Sequence, residues 1–448
     1  MAQDLSALAA QLLDAAKRAG AEAADVLAVD GTSVSIDVRA GALEHAERSE
    51  GVDIGLRVLI GKRQACVSAS DTREETLTTM AERAVAMARM APEDPYIGLA
   101  EASQLAQDRD TSVLELYDPT DEPSPADLQQ DAARAEAAAL AVEGVSQVQS
   151  ASAAYGRRRI QMAASNGFEG RYMRSDRMTS CVAIAGDGAK MERDYCGESR
   201  VFQTDLPTPD DIGTLAGKRT VDRIGARKPK TGSYPVLYDE RISASLIGHL
   251  LGAVNGASIA RGSSWLRDAM GEFILPAGLS IVEQPHRKRV TASRLFDGEG
   301  LPTKDRAIIE NGRLMGWTLD LASARKLGMD STASAARGVS SPPSPSLSNV
   351  TLTQGTQTRE ELIADMGTGL LVTSMIGSTI NPTTGDYSRG AAGFWIENGE
   401  IAYAVNECTI AGNLREMLAT LIPANDARTH LSTVVPSLLV EGMTLAGD

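Results

Sequence analysis

Leu5, Leu8 and Leu12 recur at helical spacing behind Asp4, and Gly20 follows the last turn. Residues 4–20 therefore read as an amphipathic helix with an acidic N-cap and a glycine stop. The period then changes to two. Val34, Ile36 and Val38 alternate with polar neighbours, as do Val52, Ile54, Leu56, Val58 and Ile60, and then Ala65, Val67 and Ala69. Alternation over such lengths predicts strands with one buried face. Asp71 and Thr72, with Glu74 and Glu75 behind them, suggest a capping-box start for a helix that runs to about Ala91 and ends before Pro92.

A polar connector, 98–123, leads to a second unit. Ser124-Pro125 opens an Ala-rich helix reaching Glu143, with Ser as cap and Pro in the first turn. Strand-like segments follow at 145–154, 157–165, 168–176 and 178–187, with the hairpin dipeptide Asn166-Gly167 between two of them, and a helix near 208–225 closes the unit. Both units thus read helix, about four strands, helix. This is a repeat of pattern rather than of residue identity and suggests two related α+β layers; two unrelated α+β segments in the same order is the alternative. After Lys228-Pro229 the pattern predicts a strand over Tyr234–Tyr238 and a helix over 241–255. Two hairpins turn on Glu310-Asn311-Gly312 and Glu397-Asn398-Gly399, where Asn-Gly supplies the positive φ of a type I′ turn. The Pro/Ser-rich stretch 338–349 reads as a mobile loop. The expected architecture is α+β: two helix–strands–helix units, 1–98 and 99–229, then a mainly β domain, 230–448.

Composition narrows the function classes. A chain of 448 residues is long enough to bury a large core without disulfide or metal staples. The net charge of −15 argues against a nucleic-acid surface, which needs clustered Lys and Arg. The local run Arg157–Arg159 reads as a solvated strand edge. The four cysteines, Cys66, Cys181, Cys196 and Cys408, form no CxxC pair. With no signal-peptide core and no apolar run near the roughly 20 residues of a membrane span, the expectation is a cytoplasmic protein with reduced thiols and no membrane contact.

The search for chemistry is mostly negative. A catalytic zinc needs about three protein ligands and an open position. The four histidines, His45, His249, His286 and His430, are scattered, and His249 reads as a hydrogen-bonded structural residue on the 241–255 helix. There is no GxSxG elbow; Ser263-Ser264 reads as a capping turn and Cys408 as a small buried residue. An independent Ser or Cys hydrolase is a minor reading. No phosphate-cradling glycine motif is present. The run Gly385–Gly393 offers either a tightly packed sheet corner or an edge to which a peptide adds as an extra strand, with Asp386 or Arg389 fixing one end. The acidic turn Phe296-Asp297-Gly298-Glu299-Gly300 reads as solvated, with too few carboxylates to hold a cation. Substrate contact is placed on Arg261, Asp297, Asp386, Ser388 and Arg389, which sit in glycine-punctuated loops where polar groups converge.

At these residues the chain resembles the TldD/PmbA family. The stretch Gly248–Leu266 (GHLLGAVNGASIARGSSWL), Phe296–Gly300, Thr384–Ala391, Thr409–Leu414 and Pro436-Ser437 carry the resemblance through most of the third unit, and Gly55–Val58 with Gly61–Ala69 extend it to the first. One branch of that family carries an HExxxH zinc motif and a further cysteine ligand near the C-terminus; the PmbA/TldE branch lacks it. In register, the two histidines fall near Gly248 and Ala253, and His249 takes the place of the glutamate. The resemblance therefore implies the zinc-less subunit of a cytoplasmic protease, with no cofactor of its own and zinc only in a TldD-like partner. It implies a heteromer that trims or degrades unfolded peptides, with links to peptide-antibiotic maturation, antitoxin turnover and gyrase inhibition. A self-associating peptide-binding or scaffold protein, a homodimer without protease partner, is the alternative.

Overall fold

The structure, a computed structural model, describes residues 4–447. Asp4 accepts hydrogen bonds from the Ser6 and Ala7 amides, and Gly20, at φ 99°, closes α1 (Leu5–Ala19). The strands β1 (Ala23–Arg39), β2 (Ala42–Ile60) and β3 (Arg63–Ala69) form an antiparallel meander, and α2 (Glu74–Met90) packs back over them. The expected capping box at α2 does not form. Arg73 occupies the cap position without a side-chain bond, because the Asp71 carboxylate is taken by the Arg73 guanidinium and the Thr76 hydroxyl.

In the second unit Ser124 and Asp127 cap α3 (Pro125–Leu140) reciprocally. The four short strands expected between 145 and 187 are two long ones, β4 (Val145–Ala164) and β5 (Glu169–Ala185). A third, β6 (Glu192–Arg200), was not anticipated; α4 (Pro209–Val221) follows. Gly156 and the arginines after it break the apolar pattern but not the strand. Arg159 pairs with Asp30 of β1, and Arg177 of β5 pairs with Asp131 of α3. The run Arg157–Arg159 therefore lies in a central strand, flanked by β1 and β5, and not at an edge.

The repeat is real as topology and has three strands per unit. The two units also share a single sheet, ordered β3-β2-β1-β4-β5-β6, rather than forming separate layers. The seam is the antiparallel β1–β4 ladder, from Asp25 opposite Ala164 to Val38 opposite Ala151. Helices α1 and α2 bury Val26, Ile54, Leu56 and Val58, while α3 and α4 bury Ala151, Cys181, Ala183 and Cys196. Leu128 and Ala132 of α3 also cross the seam onto Val34, Ile36 and Val38 of β1. The outer half of β2, Ala42–Gly51, is exposed along its length and carries Glu44, His45, Glu47, Arg48 and Glu50. Charges of this kind discourage edge-to-edge pairing.

The third unit begins with β7 (Gly232–Tyr238), α5 (Glu240–Ala253) and α6 (Gly256–Arg261). Then come β8 (Ile281–Glu283), β9 (Arg306–Glu310), β10 (Arg313–Leu314), α7 (Leu321–Leu327), β11 (Ala335–Ala336), β12 (Ser344–Pro345) and β13 (Val350–Leu352). The chain finishes with α8 (Arg359–Met366), β14 (Gly369–Ile380), β15 (Asp386–Glu397), β16 (Glu400–Asn413), α9 (Leu414–Ala419), β17 (Ile422–Pro423), β18 (Thr433–Val434) and β19 (Leu438–Ala446). The larger sheet runs β16-β15-β14-β7-β19-β17, and β16 also pairs with β19, which closes it into a barrel. A smaller sheet runs β10-β9-β8-β13-β18. Both Asn-Gly turns form as expected, with φ 47° and 82° at Asn311 and Gly312, and 55° and 77° at Asn398 and Gly399. The fold is α+β with a β-rich C-terminal region.

The stretch 338–349 is a packed strap, not a free loop. The Val339 carbonyl lies against Gly55, where a Cβ would come within 2.0 Å of it. Pro345 accepts from the Asn255 side chain, and the Ser348 amide and hydroxyl bind Glu283. At the root of the strap, Asp25 of β1 sits between the guanidinium groups of Arg57 of β2 and Arg337, all three side chains buried. Burial lowers the pKa of Arg57, and that of Arg337 to about 10. One carboxylate thus holds two buried cations and ties the first sheet to the C-terminal domain. Asp25→Asn leaves both without a counter-charge and is expected to destabilise the chain by about 3–5 kcal/mol. Urea denaturation of the two proteins checks this; a loss under about 1 kcal/mol, the scale of an exposed pair, contradicts it.

Candidate functional site

Helix α5 starts from Asp239, whose carboxylate accepts the Arg241 amide, and buries Leu246, Ile247 and Leu250 against the barrel. Its other face is open. Gly248 and Gly252 are exposed one turn apart, and a Cβ at either would meet nothing within 4 Å. A glycine inside a helix costs about 0.5–1 kcal/mol relative to alanine. Among the described residues no packing contact requires that cost at Gly248.

His249 lies beside this open face. Its ring stands edge-on to Tyr387 with centroids 5.8 Å apart, and Nε2 is buried with no hydrogen-bond partner. The expected hydrogen-bonded structural histidine is thus corrected at Nε2, because the ring is packed on an aromatic face instead. Burial and the nearby Arg389 cation both hold the imidazole below its ordinary pKa. Tyr387 of β15 shares hydroxyl hydrogen bonds with Tyr238 of β7 and with the Arg389 guanidinium, and its hydroxyl lies 3.4 Å from the Met375 sulfur. Burial raises both tyrosine pKa values, so both stay neutral. Arg389 donates through Nε to the Gly377 carbonyl at 2.7 Å. Among the described residues no carboxylate pairs with it, so a half-buried positive charge remains uncompensated.

Met375 also lines a cleft of about 1000 Å³ between β5–β6 and β14–β16, walled by Val182, Ile184, Met191, Tyr195 and Ile376. Ile376 is 76% exposed on this wall. A comparable cavity, about 1050 Å³, lies between the start of α1, residues 109–119 and β4–β5. Two of its arginines are ion-paired within the chain, Arg159 with Asp30 and Arg289 with Glu115 and Asp205, and Arg109 donates to the Ala106 and Glu169 carbonyls. We therefore place the candidate site at α5 and the β15 face beneath it.

The five residues chosen from sequence do not converge. Arg389 reaches the His249 side of β15, whereas Asp386 and Ser388 alternate to the other face. Asp386 is exposed and accepts from Thr384 and Asn413. Arg261 is exposed at the end of α6, 3.5 Å from Ser258 Oγ. Asp297 is in a different region and is committed to its own loop, accepting the Glu299, Leu301 and Ala335 amides. The acidic turn is buried, not solvated. The Gly385–Gly393 run is not an edge either, since β15 pairs with β14 on one side and β16 on the other. Its glycines serve close packing, as at Gly393, where a Cβ would meet the Leu371 carbonyl at 1.9 Å. Cys408 is buried, donates to the Ala391 carbonyl and has its thiol pushed up to about 11. Ser264 is buried as a turn, donating to the Ala253 carbonyl and accepting the Leu266 amide. Tyr238, Tyr387 and Met375 escaped the sequence reading because nothing in the chain marks residues so far apart as neighbours.

The donor chemistry along α5 does not fit a zinc ion. Gly248 has no side chain, Ala253 has only a methyl, and His249 offers one nitrogen. Among the described residues no group of three or more His, Cys, Asp or Glu side chains is placed to hold a metal.

Two outcomes follow from this geometry. Gly248→Ala adds a methyl to open space inside a helix and is expected to stabilise by about 0.5–1 kcal/mol, measured by urea denaturation; a destabilised variant would show that the face is packed. The second concerns Glu299, whose carboxyl is pushed up to about 8 from 4.5 by burial and by Asp297 beside it. The folded chain holds a proton there that the unfolded chain releases, so stability declines as pH rises from about 4.5 to about 8 and then levels off. Glu299→Gln is expected to flatten that decline in denaturation curves across the window, and identical pH profiles would contradict the assignment.

Comparison with known proteins agrees with this architecture along the chain. Residues 24–88 match the PmbA/TldA metallopeptidase domain 1, residues 118–224 the central domain and residues 231–447 the C-terminal domain. The metalloprotease PmbA of Escherichia coli O157:H7 is 36% identical over 431 residues, covering 95% of this chain and 93% of that one. A PmbA homologue of Haemophilus influenzae is 35% identical over 461 residues, covering 100% and 97%. A solved Bacteroides thetaiotaomicron structure, whose name proposes modulation of DNA gyrase, superposes with a TM-score of 0.92 at 27% identity over the full length of both chains. TldE of Thermococcus kodakarensis shares the fold, with a TM-score of 0.85 at 19% identity over 98% of this chain and all of that one. This chain belongs to the PmbA/TldD metallopeptidase family.

Proposed function

We propose that this chain is the non-cleaving subunit of a two-part TldD/TldE-type protease that processes unfolded peptides in the cytoplasm. The observation that carries the reading is α5. Inside a frame that matches a metallopeptidase family along most of the chain, the register of the family resemblance puts the zinc-binding histidines near Gly248 and Ala253. Glycine and alanine cannot coordinate the ion, so hydrolysis by bound zinc must come from a partner subunit bearing the HExxxH helix. This chain would supply binding surface. The open α5 face, the Arg389–Tyr387 pair and the apolar cleft next to them suit an extended polypeptide, which needs both backbone-sized room and side-chain pockets. Asp386, Ser388 and Arg261 would serve on the outer rim.

Two measurements on purified protein test this. The chain alone is expected to carry substoichiometric zinc and to leave an unfolded peptide such as β-casein uncut, with both zinc and cleavage appearing on co-expression with an HExxxH-bearing sister chain. Stoichiometric zinc with robust cleavage by this chain alone would overturn the proposal. Failure to associate with any such sister would favour the self-associating scaffold instead.

A further inference from the structure

Within that reading, we propose that Arg389 and His249 form a carboxylate-binding subsite, which takes the C-terminal carboxylate of a peptide lying along the open face of α5. Three independent features meet there. Arg389 is a half-buried cation that donates to the Gly377 carbonyl and shares a hydrogen bond with the neutral Tyr387 hydroxyl, and among the described residues no anion pairs with it. A planar guanidinium pairs best with a carboxylate, through two parallel N–H donors. His249 Nε2 is buried and unpartnered, so the imidazole tautomer protonated on that nitrogen has one more donor to give. Next to His249 on the same helix, Gly248 and Gly252 leave a face cleared of side chains, where a Cβ would meet nothing within 4 Å and a backbone can approach.

One anion would satisfy both groups. Its charge would answer Arg389, and a second oxygen would take the Nε2–H once the covering side chains shift aside. Tyr238 and Tyr387 hold Arg389 in place from below, through the hydroxyl pair anchored on β7 and β15. The apolar cleft beyond Met375 would then receive side chains near the peptide's end. The same chemistry would accept inorganic phosphate, so the test separates the two anions.

The experiment uses the full-length chain and the ring resonances of its four histidines, with His249→Gln identifying the His249 signal. N-acetylalanine is titrated against N-acetylalaninamide, which is the same molecule without the charge, and against inorganic phosphate. N-acetylalanine is expected to shift the His249 resonance saturably and the amide to leave it in place. In Arg389→Gln the apparent affinity for N-acetylalanine should fall about tenfold or more, the scale of one charge-assisted hydrogen bond. A second variant, Arg389→Lys, keeps the charge and loses the fork, and should fall between the two. Circular dichroism of each variant confirms that it is folded, and the unshifted resonances of the other histidines serve as the internal check. An equal response to the amide, no response of His249 to N-acetylalanine, or a response to phosphate alone would overturn the subsite. These outcomes leave the partner-dependent protease reading standing, because zinc content and casein cleavage are read separately; conversely, a chain that cleaves by itself would overturn that reading without moving the His249 titration.

Discussion

Everything in this chain hangs on the need to neutralise a few buried charges across domain boundaries. Asp25 is the clearest case. It lies on the strand that forms the seam of the first sheet, and it answers a cation from its own sheet, Arg57, and one from the C-terminal strap, Arg337. Both arginine side chains are buried, so the three groups must be brought together or the fold carries two uncompensated charges. The strap is forced against Gly55 by the same geometry. On the far side of the sheet, Asp194 of β6 pairs with Arg223 and Arg241, and Asp239 receives Arg241 and Arg359, which bolts the start of α5 to the same framework. The candidate site therefore rides on a helix whose N-terminus is fixed by ions and whose outward face is left bare.

An unpaired charge does not by itself mark a site, since Arg174 and Arg325 are held by backbone carbonyls; Arg389 differs in lying beside His249, whose Nε2 is buried without a partner among the described residues. Arg57, Arg159, Arg177, Arg241 and Arg306 all have carboxylate partners within the chain. Arg389, half-buried beside Tyr387, has none among the described residues. Large cavities alone do not discriminate, since the arginine-rich one by α1 is as large as the apolar cleft and its Arg159 and Arg289 are ion-paired within the chain.

Much of the fold is legible from sequence wherever a local rule settles the matter. Asp4 and Gly20 mark both ends of α1, Ser124-Pro125 opens α3, and the two Asn-Gly turns form with the expected φ. The failures occur where a long-range partner overrides a local pattern. The arginines at 157–159 look like an interruption until Asp30 is placed opposite them, which is why one long strand reads as two. The strap looks like a disordered Pro/Ser tract until Gly55 and Glu283 receive it. For the site, Gly248 and Arg389 lie in stretches that the sequence singles out, but their relation through Tyr387 and Tyr238 depends on barrel closure, which no local spacing encodes.

The seam between β1 and β4 also sets an order of events during synthesis. β1 is made early, yet the strand that covers its second edge is not made until the chain has passed Ala164. Until then Asp30 faces no arginine and the first unit ends in an open ladder, and Asp25 waits longer still, for Arg337. The amino-terminal unit is thus half of a sheet whose remaining strands end only at Arg200, and its buried carboxylate gains its second cation later still.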